Sequence, residues 1–130
     1  MTNAETLLDV VTILVVDDNI KTAEMVGRML AGPGRDVQIT LGGEAALAWF
    51  DQHGHETDLV LMDETMPDLD GHIVAARMWQ QQPRLPIFLM SGLEDQEIGP
   101  LLLDYPFQGF LKKPFRSWEL QLRVQSLLGA

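Results

Sequence analysis

The sequence predicts an α/β fold in which a parallel sheet carries helices on both faces. Two observations predict it. Three short runs, Ile13-Leu14-Val15-Val16, Leu59-Val60-Leu61-Met62 and Ile87-Phe88-Leu89-Met90, are apolar without interruption, as strands buried on both faces are. Between them lie stretches whose apolar residues recur at helical spacing, so strands and helices alternate along the chain.

After the first run, Asn19 is placed to cap a helix in which Ala23, Val26, Met29 and Leu30 share a face, and Gly32-Pro33-Gly34 stops it. Val37-Gln38-Ile39 alternates like a strand covered on one face. The next helix, from Gly43 to about His53, places Ala46, Leu47 and Phe50 together. Beyond the second apolar run, Asp70-Gly71 opens a helix with Val74, Ala75 and Met78 on its inner stripe, ended near Pro83. The third run is followed by a fourth helical segment, Glu94 to Pro106, interrupted by Gly99-Pro100. A glycine and a proline inside a helix cost several kcal/mol in propensity, about 1 and about 3 respectively. This helix is therefore expected to be short, late or broken, or Pro100 opens a single turn. Phe110-Leu111 is a weaker strand signal. Ser117 can cap the last helix, in which Leu120, Val124, Leu127 and Leu128 follow the i, i+4, i+7, i+8 pattern.

The 130 residues suffice for one ordinary domain, with residues 1–9 read as a loose N-terminal tail. With 46% hydrophobic and 22% charged residues, both a core and a solvated surface are available. The absence of cysteine excludes disulfides, thiol catalysis and cysteine metal sites. No apolar run approaches the ~20 residues of a membrane span. The N-terminus is acidic where a signal peptide is basic, which makes cytoplasmic residence the default. Nine Lys plus Arg against 19 Asp plus Glu give a net charge of −10. Nucleic acid is thus a poor direct partner, because neutralising phosphates needs clustered cations.

The position of the acids is more informative than their number. Open parallel sheets bind ligands beyond the carboxyl ends of their strands, where the strand order reverses. Here strand 1 ends in Asp17-Asp18, strand 3 in Asp63, strand 4 in Ser91 and strand 5 in Lys113-Pro114. Gathered carboxylates repel: two unit charges 4 Å apart cost about 4 kcal/mol at an effective dielectric near 20. Such a group needs a cation, and hard oxygen ligands suit Mg²⁺, with Mn²⁺ as substitute. Lys113 adds a positive charge and Ser91 a hydroxyl. Together these supply the nucleophile, charge neutralisation and positioning that phosphoryl transfer to a carboxylate requires. Singly, each acid is an ordinary turn former or helix cap, Ser91 a loop residue and Lys113 a surface lysine. Their joint placement carries the argument.

These residues resemble the response-regulator receiver family of two-component signal transduction, in its chemotaxis-regulator-like form. The matching stretches are ILVVDDN (Ile13 to Asn19), GGEAAL (Gly42 to Leu47), LVLMDETMPDLDG (Leu59 to Gly71), LMSG (Leu89 to Gly92) and GFLKKPF (Gly109 to Phe115). The likeness runs from about Val10 to Leu128. It implies a flavodoxin-like, doubly wound (βα)5 fold with a five-stranded parallel sheet of order 2-1-3-4-5. It implies that Asp63 accepts a phosphoryl group from a histidine kinase or a histidine phosphotransfer protein. It implies Mg²⁺ held by Asp18, Asp63 and the backbone carbonyl of Thr65, with Asp17 acting largely through a bound water. Lys113 would contact the acyl phosphate, and Ser91 would close on a phosphoryl oxygen. Phe110 resembles the aromatic whose rotamer follows that movement and biases the surface of the fourth helix, fifth strand and fifth helix; its other reading is an ordinary core residue. Two features depart from the family. Gly92 stands where Ala usually follows the Ser/Thr, and Gly99-Pro100 interrupts the fourth helix, which puts in doubt any output or dimerisation surface borrowed from relatives.

His53, His55 and His72 are read as surface residues at helix ends rather than metal ligands. Trp49, Trp79 and Trp118 are expected to pack or to stand half-exposed, with Trp79 and Trp118 the candidates for a partner surface. The expected function is a reversible phosphoacceptor switch, self-phosphorylating and self-dephosphorylating but not a turnover enzyme, monomeric or dimerising on phosphorylation. The alternative is an Asp-nucleophile phosphatase, which would place its acids two residues apart after strand 1, whereas Asp17 and Asp18 are adjacent. A flavin-binding flavodoxin fails on charge, since Asp17-Asp18 would repel a phosphate at that loop. No effector domain is visible after Leu128, so output is expected through association or through a longer protein, such as a hybrid sensor kinase, of which this is a piece.

Overall fold

A computed structural model describes residues 10–128; the expected N-terminal tail at residues 1–9 lies outside them. Five strands, β1 (Val11–Val16), β2 (Arg35–Thr40), β3 (Leu59–Asp63), β4 (Ile87–Ser91) and β5 (Gly109–Lys112), alternate with five α-helices. These are α1 (Ile20–Leu30), α2 (Gly43–His53), α3 (Gly71–Gln81), α4 (Asp95–Asp104) and α5 (Ser117–Leu128), with a short 3₁₀ turn at Gly54–Glu56. The strands pair in parallel in the order β2-β1-β3-β4-β5. Sheet order and flavodoxin-like architecture are therefore as expected.

Alternation along each strand divides the core in two. Leu14, Val16, Val60, Met62, Ile87 and Leu89 point to one face, where Ala46 and Phe50 of α2, Val74, Ala75 and Met78 of α3 and Ile98 of α4 cover them. Ile13, Val15, Leu59, Leu61, Phe88, Met90 and Leu111 point to the other, under Ala23, Val26 and Leu30 of α1 and Leu120 and Val124 of α5. Strands β3 and β4 are buried at every residue, which is why their sequences show no polar alternation.

The helix starts are set locally. Asn19 caps α1, its side-chain oxygen accepting the Thr22 N–H at 3.1 Å. Gly42, at φ 115°, has no side chain with which to cap α2, and a Cβ there would stand 3.2 Å from Asp68 Oδ2. Asp68 caps α2 from outside instead, accepting from the N–H groups of Gly43 at 3.2 Å and Glu44 at 2.8 Å. The loop after β3 is thereby fixed to α2. Helix α5 begins at Ser117 itself and not after it; the flanking Arg116 N–H donates to Glu119 Oε1 at 2.9 Å.

The fourth helix corrects an expectation. It is neither late nor broken: it runs continuously from Asp95 to Asp104 with Pro100 inside. Two local features explain this. The residue before a proline is kept out of helix largely by a clash with its own Cβ, and Gly99 has none. The first turn is also supported by Glu97 Oε1, which accepts the Glu94 N–H at 3.3 Å. Among the described residues no helix is long and apolar enough to cross a membrane.

Candidate functional site

The sheet order places the end of β3 between the ends of β1 and β4. Val16 lies opposite Met62, so the next residue of each strand, Asp17 and Asp63, emerges at the same edge. Ser91 is the last residue of β4 and lies opposite Lys112, which brings Lys113 one step beyond it. Four strand ends thus meet at one edge of the sheet.

There, one carboxylate oxygen from each of Asp17, Asp18 and Asp63 lies within 4.8 Å of the others. Asp17 and Asp63 are buried and Asp18 is exposed. The Lys113 ammonium bridges the two buried acids, 2.8 Å from Asp17 Oδ2 and 2.9 Å from Asp63 Oδ1. The other oxygen of Asp17 accepts the Asn19 N–H at 2.9 Å, which holds its side chain in the turn into α1. Lys113 itself is fixed by its backbone, whose N–H donates to the Ser91 carbonyl at 2.8 Å, and its peptide bond to Pro114 is cis.

Charge in so dry a place is costly, and the titration of the groups reflects it. Burial pushes the Asp63 carboxyl up to about 6 from an ordinary 3.8, against the pull of Lys113 and with added repulsion from Asp17 and Asp18. Burial also works against the Lys113 charge, but the hydrogen bonds to Asp17 and Asp63 outweigh it and hold the ammonium above the ordinary lysine value. One lysine against three carboxylates leaves the pocket negative. The donor set is all oxygen, hard and concentrated, and so fits a divalent cation of the Mg²⁺ or Mn²⁺ kind.

Ser91 is buried, and its hydroxyl oxygen accepts the Leu93 N–H at 2.9 Å. Nothing lies within 4 Å of where a Cβ on Gly92 would stand, so an alanine would also fit there without contact. Thr65 is exposed two residues beyond Asp63. Phe110 is half-buried on β5 and packs against the α3- and α4-side core. Trp79 is 9% exposed and its indole N–H donates to the Leu85 carbonyl at 2.9 Å, so it belongs to the core. Trp118, by contrast, is 64% exposed on α5.

Sequence reasoning missed a second pair beside the first. Glu64, next to Asp63, is 4% exposed, and His72 is not a bare surface residue. Its backbone N–H donates to Glu64 Oε1 at 2.9 Å and its Nδ1 lies 2.6 Å from Oε2. Burial raises the Glu64 pKa above the ordinary glutamate value, with His72 opposing. Asp70 approaches the same group. The only sequence signal was the glutamate itself, a charged residue at the end of an apolar run.

The helix that bears His72 is pressed against the end of β3. A Cβ on Gly71 would stand 2.2 Å from the Asp63 carbonyl oxygen, so only glycine admits α3 this close.

Residues 13–125 match the family described as "Response regulator receiver domain". Among curated proteins, the chain is 32% identical to the transcriptional regulatory protein TcrA of Mycobacterium tuberculosis, over 90% of this chain and 46% of that protein. It is 30% identical to the alkaline phosphatase synthesis transcriptional regulatory protein PhoP of Bacillus subtilis, over 89% of this chain and 48% of that protein. The chain spans about half the length of the curated relatives it matches. Among solved structures, the BeF3-activated DrrB receiver domain superimposes with a TM-score of 0.82 at 26% identity, covering 93% of this chain and 99% of that one.

Proposed function

The chain belongs to the response regulator receiver domain family of two-component signalling, and we propose that Asp63 is the residue through which it works. The single observation that supports this most is the buried Asp63 carboxylate held by Lys113, beside Asp17 and Asp18. An Asp63 oxygen forms a bond to phosphorus while the P–N bond to a phosphohistidine of the partner kinase or phosphotransfer protein breaks. The product is an acyl phosphate, and water later returns carboxylate and inorganic phosphate. With a pKa of about 6, Asp63 is mostly ionised and nucleophilic at neutral pH. Lys113 stands where it can follow the negative charge from the carboxylate to the phosphoryl oxygens.

Asp17, Asp18, Asp63 and the backbone carbonyl of Thr65 would hold the divalent cation. When bound, Mg²⁺ or Mn²⁺ supplies the positive charge that lets three acids and a phosphoryl group share one pocket. Phosphorylation adds roughly −1.5 to −2 charges and three acceptor oxygens. The Ser91 hydroxyl, now engaged with its own loop, has a stronger acceptor to turn to. Phe110 follows into the space released and biases the α4-β5-α5 surface. Leu103, Trp118 and Leu122 stand 88%, 64% and 59% exposed on that surface, which suits docking of a partner. The chain is a switch without turnover of external substrates, acting in the cytoplasm with the rest of a longer regulator or a separate partner.

Acetyl phosphate with Mg²⁺ is expected to add one phosphoryl group, seen by intact mass, and Asp63→Asn to abolish it. Lys113→Ala is expected to keep cation binding and to weaken the switch. A phosphoryl adduct that persists in Asp63→Asn, or sustained phosphate release from unrelated phosphomonoesters, overturns the assignment.

A further inference from the structure

The strand that presents Asp63 is connected to the end of α4 through the residue after it. Glu64 is buried, and a buried carboxylate is costly unless hydrogen-bonded. Among the described residues its two oxygens are hydrogen-bonded by His72 alone, through the backbone N–H at 2.9 Å and through Nδ1 at 2.6 Å. The same imidazole lies against Tyr105, with ring centroids 5.2 Å apart and planes inclined by 51°. Tyr105 is the residue directly after α4. From there the aromatic contacts continue to Phe107 at 6.2 Å, just before β5, and from Phe107 edge-on to Trp79 at 5.1 Å. His72 therefore stands between the phosphoacceptor strand and the end of α4.

That connection has little slack. The Glu64 N–H donates to the Met90 carbonyl at 3.0 Å, and its carbonyl accepts the Gly71 N–H at 2.8 Å. The close approach of Gly71 to the Asp63 carbonyl oxygen leaves no room for even a methyl group. The first turn of α3, which carries His72, is thus joined directly to the backbone of Asp63 and Glu64 and not only through the intervening loop.

We propose that His72 is a positioning residue that grips Glu64 and packs against Tyr105, coupling the state of Asp63 to the C-terminal end of α4 by a route separate from Ser91 and Phe110. The inference rests on the reading of Asp63 as phosphoacceptor, and its test separates the two.

Tyr105 is the only tyrosine of the chain, so 3-fluorotyrosine gives a single ¹⁹F resonance at the point where the route emerges. Beryllofluoride with Mg²⁺ serves as the phosphoryl mimic, and its bound fluorines report loading in the same spectrum. In the parent, the Tyr105 resonance is expected to move on loading. His72→Gln, which keeps a side-chain donor for Glu64 but no ring, and His72→Phe, which keeps a ring but no side-chain donor, are expected to load within threefold of the parent. Both are expected to lose at least two thirds of the Tyr105 displacement, as is His72→Ala. An undiminished displacement in the variants overturns the inference, and so does loss of loading in all three, since His72 would then serve the pocket and not the coupling. A parent that loads while Tyr105 stays silent also overturns it and leaves the phosphoacceptor reading intact. A parent that takes up no beryllofluoride sinks both.

Discussion

Asp63 stands in an environment that disfavours its charge. Its pKa lies at about 6 against an ordinary 3.8, so the native state holds the proton more tightly than the unfolded chain does. Stability therefore falls as pH rises from about 4 to about 6, and the full penalty applies above that. At roughly 1.4 kcal/mol per unit, the penalty is of the order of 2–3 kcal/mol. Asp63→Asn removes it while leaving Lys113 its other partner, Asp17, 2.8 Å away. In EDTA, urea unfolding is expected to find that variant about 2 kcal/mol more stable than the parent at pH 8 and nearly equal at pH 4. A gain that does not shrink on acidification would show that burial of the charge is not its source. Sequence alone exposed this tension only in part. The convergence of Asp17, Asp18, Asp63, Ser91 and Lys113 follows from residues at strand ends once a parallel sheet is accepted. The Glu64–His72 pair does not, because it depends on how the loop between β3 and α3 folds back, and no periodicity encodes that.

At the scale of elements, α4 is where local propensity and tertiary context disagree. Counting Gly99 and Pro100 by their propensities breaks the helix, yet it is continuous. Propensity is a weak prior that packing overrides, and here Ile98 is buried against the sheet. The proline still forgoes one backbone hydrogen bond, to the Gln96 carbonyl one turn earlier. Pro100→Ala is therefore expected to stabilise the protein by about 1–2 kcal/mol, less than the ~3 kcal/mol of a proline deep in a helix, because Gly99 has already relieved part of the clash. Thermal unfolding would show it, and a neutral or destabilising result would mean that Pro100 is favoured by contacts of its own. The strands were more legible than the helices' ends. Runs such as Leu59 to Met62 are buried on both faces and announce themselves, whereas α5 starts at Ser117 itself, with Glu119 accepting the N–H of the flanking Arg116.

At the scale of the whole molecule, folding forces acids together in a chain already carrying a net charge of −10. The unfolded chain has no such pocket, so a cation that binds there binds the native state alone and stabilises it by RT ln(1 + [L]/Kd). At ten times the dissociation constant this is ~1.4 kcal/mol, or roughly 5 °C in Tm for a chain of this size. Screening of general self-repulsion by salt would also raise Tm, but without regard to the pocket. Mg²⁺ is therefore expected to raise Tm well beyond NaCl at equal ionic strength, and Asp18→Asn, an exposed position that costs the fold little, to reduce Mg²⁺ to the level of NaCl. Calorimetry with the two salts on the two proteins decides the matter. If NaCl reproduces the whole effect in the parent, the acids at the strand tips are a site of repulsion and nothing more, and Lys113 alone compensates them.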